Sequence, residues 1–154
     1  MQPPTASPIG LRLTRTAKTV SRAFDDALAA AGGSLPSWLI LISLKSRQLA
    51  NQRALAAAVG IQGATLTHHL NAMEAEGLLT RRRDPANRRV HLVELTEQGE
   101  AAFHRMRTAA VAFDQRLRLG LSDEEIDCLE GLLDRLCANV TDGGDSDRAE
   151  YCAQ

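Results

Sequence analysis

Between Ile9 and Ala31 the apolar residues Leu13, Ala17, Val20, Phe24 and Leu28 recur every three or four positions, which places one stripe along an α-helix. Gly32 and Gly33 close that pattern, as glycines past a helix commonly do. A second helix is predicted from about Pro36, where proline suits a first turn, through WLILISL to about Lys45. It is apolar on nearly every side, so burial from more than one direction is expected. A small, alanine-rich helix over Gln52–Val59 leads to Gly60, and a fourth helix runs from near Gln62 to Gly77. There the period changes from helical to alternating. Leu79–Arg83 and Val90–Leu95 read as two short strands around DPAN, whose Asp84-Pro85 and Asn87 are turn formers. Thr96 precedes a long helix to about Leu119 with the stripe Phe103, Met106, Ala110, Phe113 and Leu117. Ser122 and Glu125 make a capping box, opening a last helix that carries Ile126, Leu129, Leu133, Leu136 and Val140. The predicted fold is mainly α with a small β-hairpin. Residues 1–8 read as a disordered arm and 141–154 as a flexible tail.

The third and fourth helices have the spacing of a helix-turn-helix. Ala56 and Gly60 stand four apart, and Leu66 follows Ala56 by ten residues. The small Ala56 lets the helices cross closely, Gly60 permits the turn, and Leu66 pins the second helix to the first. At 100° per residue, Leu66, Leu70 and Met73 share the inner side of the fourth helix. Ala64, His68 and Asn71 lie nearly opposite, Thr65 and Thr67 flank them, and His69 sits close to the core edge. A helix in a major groove needs this division, although a solvated surface helix would show it too. The hairpin that follows weighs toward DNA: Arg81, Arg82, Arg83, Arg88 and Arg89 crowd its residues 81–89 against one acidic residue there, Asp84. Guanidinium groups on a narrow projection suit phosphates and a narrowed minor groove.

A formal net charge of −1 over 154 residues conceals this local excess. Residues 1–32 hold four basic and two acidic groups, 33–95 eight and four, and 96–154 six and thirteen. The balances of +2, +4 and −7 point to a local anion-binding surface beside an acidic remainder that suppresses indiscriminate sticking. With 44% hydrophobic and 24% charged residues, the chain is globular and long enough for one real core. No apolar run approaches the ~20 residues of a membrane span, and MQPPTASP lacks the order of a secretory signal, so no membrane partner and a cytoplasmic location are expected.

The order LAxxVGI, TLTHHLNAMEAEGLLTRR, DPANRR and LTEQG closely resembles the winged helix-turn-helix of the multiple-antibiotic-resistance regulator (MarR) family of bacterial transcription factors, over about Leu35 to Gly99. The resemblance implies that residues 35–95 form the DNA-binding domain, with 9–32 and 97–140 as a helical dimerisation region. The apolar faces of the terminal helices exceed what a small winged module covers; a homodimer is the simplest sink, and an intramolecular bundle the alternative. The resemblance further implies that Thr65, Thr67, His68 and Asn71 face the groove and that Arg88 and its neighbours form the wing. With Gln62, Gly63, Arg81, Arg82, Arg83 and Arg89, these make up the expected contacts to double-stranded DNA, an inverted-repeat operator. Gly63 and Ala64 stand where the family often has Ser, Lys or Pro, and Asn87 where a second wing aspartate is common.

Members of that family often release DNA on binding a small, commonly phenolic or anionic molecule where dimerisation helices meet the winged domain. The residues placed to serve here are Trp38 as a stacking surface, His69 as a donor, and Arg15 or Arg22 as charge partners, unless Trp38 is core and His69 a satisfied edge residue. No cofactor and no metal are expected, since His68, His69, His91 and His104 lie on different elements without ligand spacing. No phosphate loop or nucleophile elbow is present, so no enzymatic activity is expected. Cys128, Cys137 and Cys152 are an odd, late-clustered set that reads as reduced thiols. Nine residues apart on one helix, Cys128 and Cys137 face opposite ways and cannot bridge each other. A thiol-based switch and a winged helix used for protein contact stand as alternatives to a ligand-responsive dimeric repressor.

Overall fold

The computed structural model describes residues 8–47 and 52–141. Six helices and two strands follow in the expected order: α1 (Ile9–Ala30), α2 (Leu35–Arg47), α3 (Gln52–Val59), α4 (Gly63–Ala75), β1 (Leu79–Arg83), β2 (His91–Leu95), α5 (Glu97–Leu117) and α6 (Asp123–Thr141). The expected arm, apart from Pro8, and the expected tail, apart from Thr141, lie outside the described residues. The chain divides into two compact units inside α5, between Phe113 and Asp114.

In the first unit the core is assembled from every element. Leu28 of α1 and Ile40 and Leu41 of α2 are fully buried, as are Leu55 of α3, Leu66 and Leu70 of α4, and Leu79 of β1 to within a few per cent. Each such side chain contributes about 1.5–3 kcal/mol by leaving water. Trp38 stacks on Phe103 of α5 with ring centroids 5.7 Å apart. Helix α2 is buried on several sides, as its composition predicts, with only Ile42 of its large apolar residues exposed. It starts one residue before Pro36 because Ser34 caps it: the Ser37 amide donates to Ser34 Oγ at 3.3 Å, and the Ser34 amide to Ser37 Oγ at 2.8 Å. Asp25 of α1 also accepts from the Leu35 amide at 2.8 Å, tying the two helices at their junction.

Gly60 makes the turn between α3 and α4 at φ 71°, a conformation that a side chain would resist. Strands β1 and β2 pair antiparallel, Leu79 opposite Leu95 and Arg83 opposite His91. The hairpin tip is held by its own turn residues. Asp84 Oδ1 accepts from the Ala86 amide at 2.8 Å, and Asn87 Oδ1 from the Arg89 amide at 3.2 Å.

The start of α5 is locked to the end of α4. Thr96 Oγ1 donates to the Gly77 carbonyl at 2.6 Å and accepts from the Gly99 amide at 3.0 Å, while Gln98 Nε2 donates to the Glu76 carbonyl at 3.1 Å.

In the second unit, the Ser122 amide donates to Glu125 Oε2 at 2.8 Å and the Glu125 amide to Ser122 Oγ at 3.3 Å, the capping box read from the sequence. Cys128 is an exposed free thiol. Cys137 is disulfide-bonded, which corrects the expectation of a reduced thiol there. The helical spacing forbids only a bond between Cys128 and Cys137 and leaves Cys137 open to a thiol outside the helix. No single helix among the described residues is long and apolar enough to cross a membrane.

Candidate nucleic-acid interface

Helix α4 buries Leu66, Leu70 and Met73 and turns the other side outward, as the 100° projection requires. Thr65, His68 and Asn71 are exposed, whereas Thr67 and His69 are half-buried. Gln62 occupies the N-cap position without using its side chain as a cap, so the first amides of α4 are open to an anion. Gly63, the first residue of the helix, is surrounded by open space: a Cβ there would meet nothing within 4 Å.

Thr67 is partly committed to the scaffold. Its hydroxyl donates to the Gly63 carbonyl at 2.9 Å and accepts from Gln52 Nε2 of α3 at 3.0 Å. That bond pegs α4 to α3, a role for Gln52 that apolar periodicity does not reveal.

The five hairpin arginines are not equivalent. Side chains alternate between the faces of a strand, so Arg81 shares its face with the buried Leu79, and Arg82 points the other way. Arg81 accordingly reaches α4. Its Nε and Nη2 donate to Glu74 Oε2 at 3.0 and 2.5 Å, its backbone amide to Glu74 Oε1 at 3.1 Å, and its Nη2 also to Asn71 Oδ1 at 2.6 Å. The Arg81 hydrogen bonds hold the Glu74 carboxyl below the usual carboxylate range. Arg82 instead meets Glu94 diagonally across the hairpin, Nη2 to Oε1 at 2.7 Å. That pairing lowers the Glu94 pKa and raises that of Arg82. Arg83, Arg88 and Arg89 are exposed, and no ion pair among the described residues involves them. Glu74 and Glu94 were legible as partners only through strand alternation combined with the helix projection, not through the count of arginines.

The residues expected to hold a small molecule are not gathered in one place. Trp38 is only 7% exposed and stacked in the core, because a helix apolar on nearly all sides leaves its largest ring no other location. His69 lines a cavity of about 220 Å³ with Ser34, Ser37, Met73, Glu76 and Met106; Trp38, Arg15 and Arg22 are not among its lining residues. Arg22 lines a separate open groove with Lys18 and Asp25, and Arg15 is exposed on α1. Among the described residues no group of three or more His, Cys, Asp or Glu could hold a metal ion.

A family model described as the MarR family matches residues 34–91, which run from the α2 cap to the first residue of β2. The chain is 30% identical over 132 residues to a candidate transcriptional regulatory protein for the hcr operon of Thauera aromatica, covering 85% of this chain and 80% of that protein. Two solved structures are similar over most of their lengths. The repressor CouR bound to a 23-mer DNA duplex aligns with a TM-score of 0.76 at 26% identity, over 84% of this chain and 92% of that one. BpsR of Bordetella bronchiseptica, whose DNA binding is regulated by 6-hydroxynicotinic acid, aligns with a TM-score of 0.72 at 25% identity, over 83% and 97%.

Proposed function

The chain belongs to the MarR family of transcriptional regulators, and from that premise we propose that it is a repressor that binds a palindromic operator as a homodimer and releases it when a small aromatic or anionic molecule binds. The observation that carries the DNA reading is the juxtaposition of an outward polar face on α4 with a hairpin whose Arg83, Arg88 and Arg89 are exposed and without ion-pair partners among the described residues. Thr65, His68 and Asn71 are the base-reading candidates, and Thr67 supports them through Gln52. Gln62 and Gly63 open the helix toward a phosphate, and Arg83, Arg88 and Arg89 contact the backbone or the minor groove. Arg81 and Arg82 serve the hairpin's internal pairing first.

Assembly is supported by apolar side chains that the single chain leaves uncovered: Ile9, Leu11 and Leu13 on α1, and Leu129, Leu132 and Leu133 on α6. Their burial against a second copy would supply the second recognition helix that an inverted repeat requires. The domain plan proposed is α2 through β2 as the winged module and α1, α5 and α6 as the dimerisation helices. Such a regulator works on the chromosome, in the bacterial cytoplasm, and the reading assigns it no reaction.

For the effector, the His69 cavity is the proposed site. At about 220 Å³ it falls below the ~300 Å³ of pockets for drug-sized ligands, which suits a single ring. A gel shift with the duplex upstream of the protein's own gene tests the whole reading: retardation by a dimer, reversed by an aromatic acid, is expected. Retardation equally strong with unrelated DNA at every salt concentration sinks the operator claim. An effect of oxidant in place of the acid would favour a thiol switch, and no DNA binding at all would favour a protein-contact module.

A further inference from the structure

Arg81 Nη2 lies 2.6 Å from Asn71 Oδ1. A guanidinium carries donors only, so the Asn71 atom it meets must be the carbonyl oxygen. The side-chain amide is planar, and with its oxygen turned to the hairpin its NH2 is turned away; among the described residues nothing takes that nitrogen. Arg81 itself is not free to swing. Three hydrogen bonds join it to Glu74, one turn beyond Asn71 on α4, and its side chain is only 20% exposed. Its backbone is further fixed in register opposite the buried Val93.

We infer that Asn71 reads DNA as a hydrogen-bond donor, with Arg81, clamped by Glu74, as the positioning residue that fixes this orientation. The inference rests on α4 being the recognition helix. An asparagine that reads adenine uses both amide atoms, accepting from N6 and donating to N7. Here Arg81 takes one of the oxygen's two lone pairs and fixes the orientation of the amide before DNA arrives, which disfavours the two-point pose. The exposed N–H groups match edges that present acceptors alone, the O6 and N7 of guanine or the O4 of thymine, because adenine offers N7 only beside an N6 donor that needs the amide oxygen. Specificity at this position is therefore set partly by two residues, Glu74 and Arg81, that need not touch a base. The charge on Glu74 is secured by Arg81, so the clamp holds through the neutral range.

Selection from a duplex library randomised over about 20 base pairs, two half-sites, tests this with the full chain and its variants. The wild-type motif should contain, in each half-site, a guanine or thymine position that becomes indifferent in Asn71→Ala. In Arg81→Met the freed oxygen lets the amide engage both atoms of adenine, and preference at that same position should shift to adenine by about ten-fold. Glu74→Gln should move it the same way by less. Adenine selected there by the wild type, an Asn71→Ala motif identical to wild type, or an Arg81→Met motif that is weaker yet unchanged would each overturn the inference. Should Arg81→Met not fold, Glu74→Gln carries the test alone, and an unchanged motif there overturns it equally. If the wild-type protein retains no library duplex even at low salt, the DNA-binding reading fails, and this inference with it.

Discussion

Arg82 Nη2 donates to Glu94 Oε1 at 2.7 Å across the hairpin, whereas Arg83, Arg88 and Arg89 are exposed and form no ion pair among the described residues. A phosphate must compete with Glu94 for Arg82 but not for the other three. Arg88→Ala should therefore weaken binding to any duplex and reduce the slope of log affinity against log salt by about one contact, and Arg82→Ala should change it by less. Glu94→Gln should act in the opposite sense, raising affinity for unrelated DNA by freeing Arg82. Filter binding at several salt concentrations measures all three, and equal slopes for Arg82→Ala and Arg88→Ala would remove the distinction. The pairing also has a pH signature. Because Arg82 lowers the Glu94 pKa from its ordinary value of 4.5, its support of the hairpin is complete above that value and is lost as the pH falls through the lower folded-state value. Both groups are exposed, so acid should loosen the hairpin without unfolding the core.

The helices, hairpin and capping box could be read from the sequence because each has a local cause: a 3.6-residue stripe, alternation between turn formers, Ser122 three residues before Glu125. The outward face of α4 followed from the same geometry. What escaped was non-local or depended on competition between partners. That Arg81 and Asn71 share a bond requires knowing that β1 returns beside α4; that Thr67 is held by Gln52 requires the crossing of α3 and α4. Trp38 illustrates a different limit. Apolar stripes state that it is buried, but not whether a cavity or Phe103 lies against its ring.

Gly99 marks where α5 presses on the end of the α4–β1 connection. A Cβ there would lie 1.9 Å from the Leu78 carbonyl oxygen, a main-chain atom that Thr96 already holds by donating its amide at 3.1 Å. Gly99→Ala should therefore cost at least about 1–3 kcal/mol, an overpacking penalty with no flexible side chain to absorb it. At roughly 2–4 °C per kcal/mol, the loss is readable by thermal melting followed through Trp38 emission. An unchanged melting temperature would show that the junction between α5 and the recognition helix yields easily.

The uncovered α6 leucines lead to a prediction about assembly. Leu133 is 40% exposed in the single chain, so Leu133→Asp should leave the protomer folded. If that face meets a second copy, the charge should convert a dimer into monomers and abolish binding to an inverted repeat together, while a single half-site is bound as weakly as by the wild type. Sedimentation with parallel gel shifts decides it. A folded monomer that binds the full site undiminished would show that the two recognition helices act independently.

The effector prediction turns on His69, which reaches from the inner edge of the recognition helix into the cavity beside Ser37 and Glu76. His69 and Ser37 can donate, and Glu76 can accept, so the lining suits a ring that carries both an acidic group and a hydroxyl or N–H. The Ser37 hydroxyl is already turned to the Ser34 carbonyl at 2.9 Å, which leaves His69 as the donor with more freedom to turn toward an anion. Because the same cavity is bounded by α4 and by Met106 of α5, occupancy bears on α4 and on the helix locked to its end through Thr96. A ligand that favours the DNA-free arrangement lowers operator affinity only by its difference in affinity between the two states, so tight binding alone is not enough. Titration with hydroxylated aromatic acids should release the operator from the wild type and fail in His69→Ala, which should otherwise bind the same duplex. Trp38 sits behind Phe103 and outside the cavity lining, so its emission should change little on binding. Release that persists in His69→Ala would move the effector to the groove beside Lys18 and Arg22, where Arg22→Ala should then abolish it.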